Sequence, residues 1–415
     1  MSHRSVIVMA FLCITSAAAA QPSVGRADRG SVLRVDSLGE VDRGALAAFA
    51  APLDGSIRVH GAVRMYRLVY RTVLHGRAVD ASGLLVVPAD RVRPRGVVLF
   101  LHGTNVTRAL APSQPDRVDG NEEAAVFGGN GYLVVLPDYL GLGESTVPQP
   151  YMIAAAQRDV SIDMLRAVRT VAGAMHTGWD PSLLLLGFSQ GGHSVAAVQR
   201  ELERRPLAGY RLRGAVAVAG AFALRRVSLP YTLDNNGVGY LAISVMAYCR
   251  YYGRPVSDAF APALAQALPT LLDGNHGMDE IAPVLPEDVR ALFTPAFLRQ
   301  VDGREAGWFT RALDENSLDA WVPRAPLRFY NGEADTDVSR ADAKRLHDFA
   351  KPRGGAVSLH SLGRVAHQES SGRMYAPVLA WFDSLSAARR AGGPRRAAGS
   401  AGSRPPAHHL RRRHG

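Results

Sequence analysis

The sequence predicts an α/β fold: a mostly parallel central sheet, helices on both of its faces, and a mainly helical insertion that caps it. Three observations carry that reading. Short, fully apolar runs at 97–101, 133–136, 183–186 and 214–218 have the composition of central parallel strands, which are buried on both faces. Stretches of helical period separate several of these runs, and alternation of this kind builds a parallel sheet. Between 226 and 323 the alternation stops. Prolines at Pro230, Pro255, Pro262, Pro269, Pro283, Pro286 and Pro295 punctuate a stretch of helical tendency there.

The elements follow in chain order. His3 and Arg4 precede an apolar run at 6–14, and Ala18 and Ala20 fit a small-residue cleavage site before Gln21. This reads as a secretory signal over 1–20, too short to cross a bilayer, which takes about 20 apolar residues. The mature chain is therefore expected in the periplasm or outside the cell. After a short leader, 63–70 alternates like a half-buried strand, with a hairpin partner at 79–88 and a turn at His75 and Gly76. Strand 97–101 runs into His102, Gly103, Thr104 and Asn105. Helices are expected at 122–128 and 153–175, and the next strands at 133–136 and 183–186. After 214–218 and the insertion, the core resumes with a strand at 327–330, a helix at 339–349, a strand at 357–359 and a last helix at 372–386. The expected organisation is a core over 21–225 and 324–386, a cap over 226–323 and a disordered tail over 387–415.

Charge and cysteine content narrow the function classes. The net charge is +11. Eight arginines and no acids lie in 387–415; removing those eight charges leaves +3. The basicity thus belongs to a tail suited to weak, salt-screened association with anionic surfaces. It is not a folded nucleic-acid surface, and no nucleic-acid partner is expected. Cys13 leaves with the signal, so Cys249 is alone and is expected to be a buried thiol. There is no H-E-x-x-H motif and no cysteine cluster to hold a metal. The glycines at 141–143 lack dinucleotide-binding spacing. No metal and no cofactor are expected.

The most specific chemistry lies at Gly187-Phe188-Ser189-Gln190-Gly191. The pattern G-x-S-x-G follows four leucines and precedes a helical stretch, the strand–turn–helix setting in which a nucleophilic serine is pushed out at the sheet edge. A serine hydroxyl needs a base within hydrogen-bond reach and an acid to orient that base, in the order Ser, acid, His. Asp335 lies three residues past Gly332, in G-x-x-D-x-x-V spacing that ends at Val338; Asp337 competes and Glu333 is a weaker third. His367, expected on the loop before the final helix, is the base. Its rival His360 follows the 357–359 strand too closely to reach the active edge. His193 is expected to support packing, His276 lies in the cap, and Asp138, which precedes the serine, is expected to fix a loop at the rim. Oxyanion donors are expected at the backbone N–H of Gln190 and at that of Thr104, with Asn105 as the alternative. Tyr240, Tyr248 and Phe293 are expected to help wall an acyl site in the cap.

These pieces resemble the α/β-hydrolase superfamily. Within it the chain is similar to the secreted lipase/esterase family that includes bacterial and fungal secretory lipases. The matching segments are 69–71, 81–88, 137–143, 187–192 and 332–335, together with His367, and they span about 63 to 383. The resemblance implies a cap over the site and carboxylic-ester substrates, small or lipid. The chain is then expected to be a secreted serine hydrolase working through an acyl-enzyme. A peptidase or other acyl hydrolase on the same fold is the alternative, although the cap announces no clamp for a substrate amine. A non-catalytic binding protein would be expected to have lost a triad position, and here all three are filled.

Overall fold

The computed structural model describes residues 28–90, 93–114 and 120–391. The expected signal over 1–20 and residues 392–415 of the expected tail lie outside that range. Nine strands form one sheet: β1 (Val32–Val41), β2 (Val63–Leu74), β3 (Arg77–Pro88), β4 (Val97–Leu101), β5 (Leu133–Pro137), β6 (Ser182–Phe188), β7 (Arg211–Val218), β8 (Leu327–Asn331) and β9 (Val357–Ser361). Their order is β1-β2-β3-β5-β4-β6-β7-β8-β9. The first three strands form an antiparallel meander that joins β5 antiparallel. From β5 through β9 every pairing is parallel.

Period-two alternation divides the core between the two faces of the sheet. Val97, Leu99, Leu101, Leu183, Leu185, Ala217 and Phe329 point to one cluster, beneath the helices at Ala154–Ala174, Gln190–Arg204 and Arg340–Ala350. Val98, Phe100, Val134, Leu184, Leu186, Val216 and Tyr330 point to the other, beneath Arg43–Ala50, Asn121–Val126 and Tyr375–Ala391. Each leucine of β6 is fully buried, and such burial stabilises by about 1.5–3 kcal/mol per side chain. This double burial explains why the central strands read as unbroken apolar runs.

Strand β1 was not foreseen. Its residues are largely exposed and include Arg34, Asp36 and Glu40, so it carries no buried face of its own. Pairing with β2 holds it, and its charges guard the sheet edge against further pairing. Toward the C-terminus the last helix continues to Ala391, five residues past its expected end at 386.

Between β7 and β8 the chain leaves the sheet through helices that include Leu229–Asp234, Val238–Tyr251, Pro262–Leu271, Pro295–Val301 and Trp308–Asn316. They enclose a separate apolar core around Met246, Tyr248, Phe260, Phe297 and Phe309. Leu318 N–H donates to the Phe222 carbonyl at 2.7 Å, so the excursion starts and finishes at one point. Among the described residues, no helix is long and apolar enough to cross a membrane.

Candidate active site

Strands β4 and β6 are neighbours, but the chain leaves them toward opposite sides of the sheet: β4 leads on to β5 and β6 to β7. The crevice at the carboxyl ends of two such strands is the usual ligand site of an open α/β sheet. Ser189 follows β6 there, and the His102–Asn105 loop follows β4. Ser189 takes φ 55° and ψ −117°, a left-handed conformation that a non-glycine residue holds only at a cost of about 1–3 kcal/mol. Two things enforce it. Ser189 N–H donates to the Val218 carbonyl at 2.8 Å. The flanking glycines also let backbones touch: a Cβ on Gly191 would stand 1.7 Å from the Leu101 carbonyl oxygen, and one on Gly187 2.2 Å from the Gly191 oxygen.

The serine meets the expected histidine and the favoured aspartate. His367 Nε2 lies 2.9 Å from Ser189 Oγ, and His367 Nδ1 lies 2.8 Å from Asp335 Oδ2. All three residues are buried. Asp335 Oδ1 accepts the backbone N–H groups of Asp337 and Val338, both at 2.9 Å, so its second oxygen is aimed at the imidazole. His367 is not on a loop as expected: it opens the short helix His367–Arg373, with Phe188 against its ring at 4.9 Å. Tyr231 of the cap donates from its hydroxyl to the Asp335 carbonyl at 2.7 Å.

The rivals are placed elsewhere. Asp337 Oδ2 accepts the Tyr240 hydroxyl at 2.9 Å. His360 lies within β9, stacked on Tyr330, with its Nε2 2.8 Å from Ser358 Oγ. Glu333 accepts from Ser361 Oγ. His276 pairs with Asp273 in the cap. Asp138 is fully buried beneath the rim, where it accepts Ser82 Oγ, Ser113 Oγ and Ser113 N–H. Burial pushes its pKa up, opposed by those bonds. It fixes the turn after β5 against β3, and its carbonyl lies 3.2 Å from His102 Nε2.

His193 is buried and joins core to cap: Nδ1 lies 3.0 Å from the Gln157 amide oxygen and Nε2 2.9 Å from the Asn316 carbonyl. Burial depresses its pKa to about 4, so the ring is neutral near pH 7. Cys249 is buried, and burial pushes its thiol up to about 12.

Gln190 is the first residue of the helix Gln190–Arg204, where backbone N–H groups have no acceptor within the helix. Thr104 stands on the facing loop, held by its hydroxyl 2.8 Å from the Tyr151 hydroxyl. The Asn105 side-chain amide donates to the Leu110 carbonyl at 3.0 Å, and the residue also lines the space at Ser189.

Two cavities open on Ser189. A narrow one of about 90 Å3 is lined by Met152, Gln190, Leu241, Tyr248, Phe309 and Leu313 among others. A wider one of about 340 Å3 is lined by His102, Thr104, Phe188, His367 and Tyr375 among others. Tyr240 lines both. Phe293, expected at the site, lines neither: it sits in the cap core between Phe260 and Phe297, because its turn faces the cap helices and not the sheet. Asp342 was not foreseen. It is fully buried on the wall of the narrow cavity and accepts Phe222 N–H, Ala223 N–H and Ser228 Oγ at 2.7–3.1 Å. Burial raises its pKa to about 6, opposed by these bonds. Its partners lie more than 100 residues away in sequence, so no local pattern announces it. Among the described residues no cluster of His, Cys, Asp or Glu could hold a metal ion.

A parallel sheet with an antiparallel N-terminal side, a strained serine turn after its central strand and a helical excursion after the next strand define an α/β hydrolase, resembling lipases and esterases. No family model matches the chain, and no curated protein matches it by sequence. Solved structures do match. A presumed hydrolase from Legionella pneumophila superposes with a TM-score of 0.81 at 25% identity, over 85% of this chain and 98% of that one. The rice cell wall degrading esterase LipA from Xanthomonas oryzae gives 0.74 at 25% identity, over 88% and 98%. Candida antarctica lipase A in its closed state gives 0.63 at 15% identity, over 87% and 83%, a likeness of fold.

Proposed function

We propose that the protein is an exported serine hydrolase that cleaves carboxylic esters through an acyl-enzyme. The hydrogen-bonded line from Ser189 through His367 to Asp335 carries this reading, supported by esterase and lipase structures of the same fold and, for export, by the sequence of residues 1–20.

Ser189 Oγ attacks the ester carbonyl carbon while His367 Nε2 takes its proton. Gln190 N–H and Thr104 N–H receive the developing oxyanion, each such donor being worth about 3 kcal/mol. The C–O bond to the alcohol breaks, and the alcohol leaves with the proton from Nε2. Water, deprotonated by the same nitrogen, then attacks the acyl-serine and releases the acid. Asp335 holds the imidazole in the tautomer that keeps Nε2 free to accept and stabilises the imidazolium that forms. Burial of all three residues strengthens the Coulomb attraction.

A panel of p-nitrophenyl esters from acetate to palmitate, beside aminoacyl-anilides, tests the substrate class. Ser189→Ala should lower kcat by orders of magnitude with an unchanged circular dichroism spectrum. A purified Ser189→Ala protein with near-wild-type turnover, or a wild type faster on the anilides, refutes the proposal. Export predicts a mature protein beginning at Gln21, read by N-terminal sequencing.

A further inference from the structure

Three spaces converge on one side chain. Tyr240, in the first turn of the helix Val238–Tyr251, lines the narrow cavity and the wider cavity at Ser189. It also lines a third, apolar groove of about 620 Å3 formed by Val106, Leu110, Ile243, Met278 and Leu285 among others. The groove reaches the protein surface, where Met278 is 39% exposed. Thr104 and Asn105, on the loop beside the serine, also line it. The phenol is pinned across this junction, because its hydroxyl donates to Asp337 Oδ2 at 2.9 Å.

The spaces differ in what they can hold. At about 10–15 Å3 for each water-sized occupant, the narrow cavity of about 90 Å3 takes a chain of roughly six to nine heavy atoms. A longer chain has to leave it, and the space beyond Tyr240 is apolar.

Building on the ester-hydrolase reading, we propose that Tyr240, latched to Asp337, is the partition that sets acyl length. With the latch closed the site accepts short acyl groups. With the ring absent the narrow cavity and the apolar groove become one channel, and a long alkyl chain runs from Ser189 to the surface beside Met278. Asp337, which also lines the narrow cavity, acts here as a positioning residue through the phenol it holds.

The test uses the full chain and p-nitrophenyl alkylphosphonates, which transfer the phosphonyl group to Ser189 Oγ with loss of p-nitrophenolate. Intact-mass labelling rates are compared for ethyl and decyl members. Wild type should label at least tenfold faster with the ethyl reagent, and Tyr240→Ala should shift the decyl-to-ethyl ratio upward by tenfold or more. Tyr240→Phe, which keeps the ring and loses only the latch, should shift it less and in the same direction. Tyr251→Ala, on the same helix but packed against His75 and Tyr252, should leave the ratio alone.

An unchanged ratio in Tyr240→Ala overturns the partition, as does an equal shift in Tyr251→Ala. Calorimetric binding of ethyl and decyl acyl esters to Ser189→Ala, with and without Tyr240→Ala, reads the same ratio with no bond-making step. Failure of wild type to label with either phosphonate would refute the hydrolase reading, and the binding ratio would still decide the partition.

Discussion

Replacing Asp335 by asparagine changes one atom and tests the order of the whole proton path. Oδ1 of Asp335 accepts two backbone N–H groups at 2.9 Å, so in the variant the amide oxygen takes that position. The amide nitrogen then faces His367 Nδ1, which now lies 2.8 Å from Oδ2. An amide nitrogen only donates, so the imidazole must present a lone pair at Nδ1 and carry its proton on Nε2. That proton points at Ser189 Oγ, and the base can no longer accept from the serine. In a Ser-His-Asp triad this exchange costs about 10⁴ in kcat, or roughly 5 kcal/mol, and the same loss is expected here. Asp337→Asn keeps a carbonyl oxygen for the Tyr240 hydroxyl. At most it weakens one hydrogen bond of about 0.5–1.5 kcal/mol, a loss within about tenfold. The assay is kcat/KM on p-nitrophenyl butyrate at pH 7.5, with thermal melting as the control for folding. A loss below tenfold in Asp335→Asn, or a larger loss in Asp337→Asn, would falsify the assignment.

The other expectations concern stability. Gly191→Ala puts a methyl carbon 1.7 Å from a backbone oxygen and should destabilise by more than about 4 kcal/mol. Gly173→Ala, with nothing within 4 Å, should be neutral or slightly stabilising; similar urea midpoints for the two would contradict the close-packing argument. Asp342 has a folded pKa near 6, above its ordinary 3.8. Its contribution is therefore fully present below about pH 4 and lost as pH rises through 6, by an amount on the order of 3 kcal/mol. His193, depressed to about 4, runs the other way: its contribution is present above its ordinary value and lost as pH falls. Asp342→Asn should match wild type at pH 4 and exceed it in urea unfolding at pH 7.5; a difference independent of pH would contradict the linkage. Truncation after Ala391 should leave the melting temperature and hydrolysis of soluble esters unchanged. Truncation after Ser386 removes the last residues of a helix and should lower melting by a few degrees; a reversed order would show that 392–415 matter to the fold.

Where one residue type could serve only one environment, the sequence was legible. The runs at 97–101 and 183–186 sit between two helical layers and must be apolar on both sides, so their place in the sheet centre could be read directly. The serine turn was legible because two glycines are required by contacts that no Cβ permits. The aspartate and histidine followed from their spacing past β8 and before the last helix. Strand β1 escaped because an edge strand held by its neighbour needs no apolar pattern. Phe293 misled because an aromatic residue in a cap serves equally as cap core or as cavity wall, and only the fold of the insertion chooses. Tyr231 and Asp342 were invisible because each finds its partners more than 100 residues away.

The hydrogen bond between Leu318 and Phe222 gives the excursion after β7 a common doorway. Loop-closure entropy grows only with the logarithm of length, so a segment leaving and returning through that doorway can grow or shrink without moving any strand. On the proposed ester-hydrolase reading, the sheet below supplies the reacting groups, and the inserted segment supplies Tyr231, Tyr240 and Tyr248 around them. Grafting a different segment between the same two residues would leave the serine turn intact and change what it sees. Selectivity in such a design can drift on its own clock, while the machinery that breaks the bond stays fixed.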